Sequence, residues 1–277
     1  MPELPEVDLV ARSLNSLIGG RTIVSAELLR DRLAPENTAA EFTAGLANTR
    51  VDIVDRRGKH ILIRLNNGKT LIVHLRMSGR FVLLDPEADP PRFTHAIFRL
   101  DDGRVLVFSD QRHFGLMKIV ETAELTEAKE IAKLAPEPFS DDFSISYLRG
   151  RLSRSSRSLK EFLLDQTQVC GLGNIYAAEA MFAARIHPAV PARSVGAVRA
   201  RRLHESILAV LDEAIRHNTG RPIDPEDLEG SYFSGAASTG WYVYDREGDP
   251  CEECGTAIVR LKQGGRSTYF CRKCQRK

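Results

Sequence analysis

The sequence predicts an α+β protein of several domains, with an N-terminal β-sandwich or barrel, a helical segment, and a small metal-held module near the C-terminal end. Three observations carry this. The 277 residues exceed what one hydrophobic core usually organises. Short apolar runs separated by turn signals fill roughly the first 120 positions, and helical periodicity replaces them afterwards. Four of the five cysteines then close the chain as two C-x2-C pairs.

Taken in order, Val7, Val10, Leu14, Leu17 and Ile18 recur at helical spacing, and Gly19-Gly20 supplies a stop. Strand-like runs follow at 22–29, 51–54, 60–65, 71–75, 80–84, 96–100 and 104–108. Asn67-Gly68 and Asp102-Gly103 lie between consecutive runs and read as hairpin turns. Beyond residue 120 the pattern predicts a helix over 123–134, then a second one capped by Asp141-Asp142 and running through Arg151. Helical character at 159–164 and 175–186 is interrupted by Gly171-Leu172-Gly173-Asn174, a helix, tight turn, helix unit. Glycines ahead of a helix can bring backbone N–H groups close to a phosphate, although a plain structural turn reads the same way. A further amphipathic helix is expected over 197–217, with Val198, Leu203, Ile207, Leu208, Leu211 and Ile215 inward and Arg199, Arg201 and Arg202 outward. Residues 218–240 are rich in glycine, serine, proline and acids and read as a long loop.

Composition narrows the function classes. Hydrophobic content of 43% and charged content of 27% describe an ordinary globular protein. No apolar run approaches the length that spans a bilayer, and no signal-like segment opens the chain, so a cytoplasmic protein without membrane association is expected. Net charge is only +2, yet Arg260, Lys262, Arg266, Arg272, Lys273, Arg276 and Lys277 crowd the last stretch without an acid. That tail is phosphate-seeking or solubilising.

Chemistry concentrates at Met1-Pro2-Glu3-Leu4-Pro5-Glu6. Removal of Met1 would leave Pro2 as a terminal secondary amine. A terminal amine, with a pKa of about 7.7–8.0, is far more often neutral at pH 7 than a lysine. A neutral amine attacks electrophilic carbon and forms Schiff bases. Glu3 lies beside it and Glu6 one helical turn on, so two carboxylates can serve the same centre. The structural alternative is that Pro2 and Pro5 only start a helix. At the other end, Cys251, Cys254, Cys271 and Cys274 have the spacing of one tetrahedral zinc. Four thiolates leave no open coordination position, so the metal's expected role is folding; a redox dithiol or an iron-sulfur cluster is the alternative. Cys170 reads as a small buried residue.

With the runs Arg57-Gly58-Lys59, His74-Leu75-Arg76-Met77-Ser78-Gly79, Asp110-Gln111-Arg112-His113-Phe114-Gly115 and Gly171-Leu172-Gly173-Asn174-Ile175-Tyr176, these end segments resemble the formamidopyrimidine-DNA glycosylase and endonuclease VIII family of base-excision repair enzymes. The resemblance spans essentially the chain. It implies an N-terminal β-sandwich domain with flanking helices over 1–122, a helix-two-turn-helix DNA-binding domain with a lesion-recognition loop over 123–240, and a zinc finger over 241–277, with double-stranded damaged DNA held between them. It implies Pro2 as the Schiff-base nucleophile, Glu3 as the acid at the sugar oxygen, Glu6 as its support, Lys59 in β-elimination and Arg266 in the second elimination. Met77, Arg112 and Phe114 match insertion residues that fill the space of a flipped nucleotide. His95, Lys160, Asn174 and, less directly, His74 match positions that touch the DNA backbone. A monomer is implied too. Ser155 stands where the family has a lysine, flanked by Arg154 and Arg157; the loop over 219–240 is atypical, and the segment from Tyr232-Phe233 to Tyr242-Val243-Tyr244 is longer than usual. Within the family, Leu4-Pro5 and Arg112-His113-Phe114 favour oxidised purines over oxidised pyrimidines. A zinc-containing protein that binds damaged DNA without chemistry is the alternative of another class.

Overall fold

The computed structural model describes residues 1–219 and 240–277. Most of the loop expected at 218–240, including the lesion-recognition segment, lies outside the described residues. The chain divides into two compact units, one built from Met1–Ala132 and the stretch opening at His217, the other from Lys133–Arg216 and the described C-terminal residues.

In the first unit, α1 (Leu4–Ile18) precedes eight antiparallel strands: β1 (Thr22–Leu28), β2 (Thr49–Arg57), β3 (His60–Leu65), β4 (Lys69–His74), β5 (Gly79–Leu84), β6 (Thr94–Leu100), β7 (Val105–Asp110) and β8 (Leu116–Glu121). Their order is β5-β7-β6-β1-β2-β3-β4-β8. The β1–β2 link consists only of Thr22↔Arg50 and Ile23↔Thr49, so the sheet bends there into two four-stranded layers. Every second residue of both layers enters one core: Ala96, Phe98, Leu100, Leu106 and Phe108 from one, Ile61, Ile63, Leu71 and Val73 from the other. This is the sandwich solution to two half-apolar sheets. Val7, Val10, Leu14 and Ile18 of α1 join the same core. Gly68 and Gly103 take positive φ in the two predicted hairpin turns. A helix unforeseen in the sequence, α2 (Ala39–Leu46), begins at a capping box of Thr38 and Glu41.

The helix expected over 123–134 does not form as such. Leu125, Ala128 and Ile131 are the buried residues there, and a three-residue spacing suits i→i+3 bonding. Ala128 N–H donates to Leu125 and Ile131 N–H to Ala128, giving a 3₁₀ turn over Thr122–Glu127 and loose turns beyond.

The second unit holds α3 (Ile145–Ser153), α4 (Leu159–Leu164), α5 (Asn174–Ala183), α6 (Ala197–Thr219), whose last residues belong to the first unit, and a hairpin of β9 (Val259–Gln263) and β10 (Arg266–Phe270). The cap of α3 is Ser144, not Asp141-Asp142: its Oγ accepts from Tyr147 N at 3.1 Å. Val198, expected to face inward, is 79% exposed because it sits in the first turn of α6. Arg202, expected outward, turns back so that its Nε donates to the Ala184 carbonyl at 2.5 Å. Among the described residues, no helix is long and apolar enough to cross a membrane.

Candidate functional site

The N-terminal segment is a helix start with its reactive positions buried. Pro2, Glu3 and Glu6 are covered, and Met1 is exposed. Glu3 is the N-cap of α1 and forms a capping box with Glu6, whose Oε2 accepts from Glu3 N at 2.8 Å. The prolines and glutamates do start a helix, and that start fixes the backbone next to Pro2. The Glu6 carboxylate thus serves the cap of α1. The same end of α1 is tied to β2 by Arg56 Nε donating to Asp8 Oδ1 at 3.0 Å. The turn that leaves β2 carries Gly58, with φ of 57°, and Lys59, itself only 5% exposed.

His74 is partly covered. Its Nδ1 accepts from Arg76 N at 3.0 Å, and its ring meets His60 edge-on at 4.7 Å. Burial, then neighbouring positive charge, lowers its pKa to about 2, and burial lowers that of His60 to about 4. His74, backed by the His60 ring, thus holds the backbone of Arg76, whose φ is 56°, one residue ahead of Met77.

Met77 lies between β4 and β5, and Arg112 with Phe114 between β7 and β8. Met77 and Phe114 are 39% and 45% exposed, which excludes core packing for either. The Arg112 guanidinium stands 5.2 Å from the Phe114 ring centre. Asp110, the first residue of the run that carries Arg112 and Phe114, joins the two turns. Its buried carboxylate accepts from Ser78 Oγ (2.5 Å), Arg112 N (3.1 Å), Phe114 N (2.7 Å) and Gly115 N (2.6 Å). Burial alone would raise its pKa, but the four donors together outweigh it and hold the group below the ordinary aspartate range. Gly79 and Gly115 are needed here by close approach: a Cβ would lie 2.7 Å from Phe108 Cζ at the first and 2.8 Å at the second. His95, expected at the DNA backbone, is 4% exposed, stacks on His113 at 4.9 Å and has its Nε2 2.9 Å from His113 Nδ1. It braces the turn from behind.

In the second unit, Lys160 and Asn174 also turn inward. Lys160 is fully buried, and its Nζ and Asn174 Nδ2 both donate to the Ser267 carbonyl, at 2.9 and 3.1 Å. A buried ammonium needs such an acceptor. The pair therefore anchors the hairpin next to Arg266, which is exposed after the Gly264-Gly265 turn, where φ is 51° and 76°. Glu179, unremarked in the sequence although it is the lone charge in an apolar helix, accepts from Tyr242, Val243 and Tyr244 N at 3.0, 3.0 and 2.8 Å. It fixes the entry to the cysteine hairpin. The Sγ atoms of Cys251, Cys254, Cys271 and Cys274 lie within 4.8 Å of one another, and the Cys251–Cys274 and Cys254–Cys271 separations are 3.9 and 3.5 Å. A tetrahedral zinc with bonds near 2.3 Å sets its sulfurs about 3.8 Å apart. Burial pushes the Cys251 and Cys274 thiols up, while hydrogen bonds with Thr256 bring Cys254 down to about 6, and a cation among the four sulfurs would favour the thiolate at every one. The donor set fits one structural zinc. Cys170 is buried, as expected.

A sandwich bearing a capped N-terminal proline, a glycine-turned helix pair and a zinc hairpin define a zinc-finger protein of the helix-two-turn-helix class. Three family models match: the formamidopyrimidine-DNA glycosylase N-terminal domain over residues 1–117, the corresponding H2TH domain over 134–223, and the zinc finger found in FPG and IleRS over 248–276. The chain is 40% identical over 277 residues to a formamidopyrimidine-DNA glycosylase of Desulforamulus reducens, covering 100% of this chain and 99% of that one. Among solved structures it is similar to the wild-type Lactococcus lactis Fpg in complex with N7-benzyl-Fapy-dG containing DNA (TM-score 0.91, 33% identity, 100% of both chains). It is likewise similar to that protein with an oxidised-pyrimidine containing DNA (TM-score 0.90, 32% identity, 100% of both chains). The chain belongs to the formamidopyrimidine-DNA glycosylase family.

Proposed function

We propose that this chain is a bifunctional DNA glycosylase and AP lyase of base-excision repair that removes oxidised purines, 8-oxoguanine and formamidopyrimidines, from double-stranded DNA. Family membership supports the reaction class. The observation that carries the reading is the pair of turns locked by Asp110, which hold Met77, Arg112 and Phe114 outside a fully packed sandwich. An apolar wedge, an aromatic ring and a guanidinium suit the gap left by a flipped nucleotide.

With Met1 removed, the Pro2 lone pair attacks C1′ and the glycosidic electrons leave with the base, which takes up a proton. Glu3 protonates the sugar oxygen, and the ring opens to an iminium. The iminium acidifies C2′. Lys59 moves that proton as the 3′ phosphate departs, and Arg266 serves the second elimination, which expels the 5′ phosphate; water then frees Pro2. Zinc supplies no step. It holds the hairpin that presents Arg266. Lys160 and Asn174 anchor that hairpin at the Ser267 carbonyl, His74 and His95 lie beside the wedge turns of the first unit, and all four are assigned to the side that meets the DNA backbone. Division into 1–122, 123–240 and 241–277, a monomeric state and a cytoplasmic setting complete the proposal.

Borohydride reduction in the presence of damaged duplex should trap a covalent adduct that maps to the Pro2 nitrogen, and a chain whose N-terminus keeps an added residue should trap nothing. An adduct on a lysine side chain would overturn the mechanism. The solved complex of a relative with oxidised-pyrimidine DNA supports a second substrate class. Excision of 8-oxoguanine opposite cytosine is expected to outpace that of thymine glycol, and the reverse order would reassign the substrate.

A further inference from the structure

Within the second unit, an open cleft of about 640 Å3 is lined by Arg185, Arg199, Arg202, Lys273, Arg276 and Lys277, with Glu253 as the one acid. It is remote from the cluster at Ser267 along two elements. Asn174 opens α5 and the cleft begins past its other end, ten residues on, about 15 Å at 1.5 Å per residue. Ser267 is the second residue of β10, while Cys274 lines the cleft beyond Cys271, a further separation of about 13 Å along the strand.

The positive charge is left largely uncompensated. Among the described residues, Arg185 alone of the six has a carboxylate partner, Glu253 at 3.4 Å. Arg199 and Arg202 lie three apart on the first turns of α6, which carry no acid, so the positive end of the helix adds to their field. Arg202 Nε is used on Ala184 O and Arg199 Nη2 on Arg276 O, at 2.5 and 3.3 Å. These bonds orient the two guanidinium planes and leave their other N–H groups for a ligand. The lining has no aromatic ring to stack a base and no aliphatic side chain to anchor a peptide, its apolar surface coming from the stems of the basic residues and from Cys254 and Cys274. High linear charge density is what such a surface selects, and a phosphodiester backbone supplies it.

We propose that this cleft is a second, non-specific DNA site that takes the backbone of a duplex segment other than the one whose base is excised. This rests on the DNA-glycosylase reading. The test uses the full, zinc-loaded chain, saturated with a short duplex that carries an uncleavable abasic analogue, to which a labelled undamaged duplex is added. Wild type should form a ternary complex with strong salt dependence. Arg199→Glu/Arg276→Glu should weaken that second binding roughly tenfold or more and lower its log–log salt slope by about 2. Single-turnover excision from a short lesion duplex should stay within about twofold of wild type, and zinc content should be unchanged, which excludes misfolding. No ternary complex with wild type, or an equal one with the variant, would overturn the proposal. Capture of polyglutamate in preference to DNA would overturn it too, assigning the cleft to an acidic protein. Loss of excision in wild type would sink the glycosylase reading alone, because the ternary complex is read separately.

Discussion

Asp110 and Glu179 are the same device in two settings. Each is a buried carboxylate that gathers three backbone N–H groups and so fixes a segment that would otherwise be loose, the wedge turn in the first unit and the entry to the zinc hairpin in the second. Their acidities nevertheless move in opposite directions. Burial raises both, but at Asp110 the Ser78 hydroxyl and short turn amides prevail. At Glu179 burial prevails over the three backbone donors and over Arg246, whose guanidinium is itself occupied by Asp249 and Glu252. Donor number and length decide whether a buried acid keeps its charge. The wedge turn is thus held by a full negative charge, and the hairpin entry by a group that a proton can soften.

With Glu179 the weaker of the two anchors, the second unit leans on something stronger, and zinc is the candidate. Chelation should release one zinc per chain, lower DNA affinity at least a hundredfold and abolish the second unit's cooperative unfolding, while the sandwich transition persists. DNA binding retained after complete metal loss would show that the carboxylate suffices.

Asp110→Asn comes next in size. One accepting oxygen becomes a donor facing other donors, at a cost of about 2–3 kcal/mol. Excision should fall about tenfold or more, from loss of the wedge. The folded pKa of Asp110 is depressed, so its contribution is complete above the ordinary aspartate value near 3.9 and is lost as pH falls through the lower folded value. The stability gap between variant and wild type, followed by thermal melts, should therefore close on acidification. A gap constant with pH would mean that Asp110 is not ionised.

Glu179→Gln should give the smallest effect, about 1 kcal/mol below pH 4.5. Here the folded pKa is raised, so the proton-linked contribution is present below the unfolded value and lost as pH rises through the folded one. The gap should narrow toward neutrality, the opposite trend to Asp110→Asn. Parallel trends in the two variants would erase the distinction.

Most of the fold was legible because it is locally encoded. Alternating apolar residues, Asn67-Gly68, Asp102-Gly103 and the cysteine pairs each state their geometry within a few positions. The 123–134 segment misled because helix-forming residues there bury at intervals of three. The candidate site was legible as residue types but not as directions. Lys160 and Asn174 carry phosphate-binding groups, yet they face Ser267, and nothing nearby in sequence announces a carbonyl 107 residues away from Lys160. The anchoring roles of Asp110 and Glu179 were not legible for the same reason, since the value of a buried acceptor depends on which amides tertiary structure brings to it.

Because the Glu6 carboxylate accepts from the Glu3 amide, the backbone is already committed to α1 one residue past the proposed nucleophile. A chain terminus ordinarily wanders, and restraining a residue costs about 1–2 kcal/mol of conformational entropy. In this protein most of that cost is met once, during folding, and does not recur at each turnover. The reach of the terminal amine becomes a fixed length in consequence. One residue too many would displace it by about 3.8 Å, and α1, anchored in the sandwich core, cannot retreat to make room.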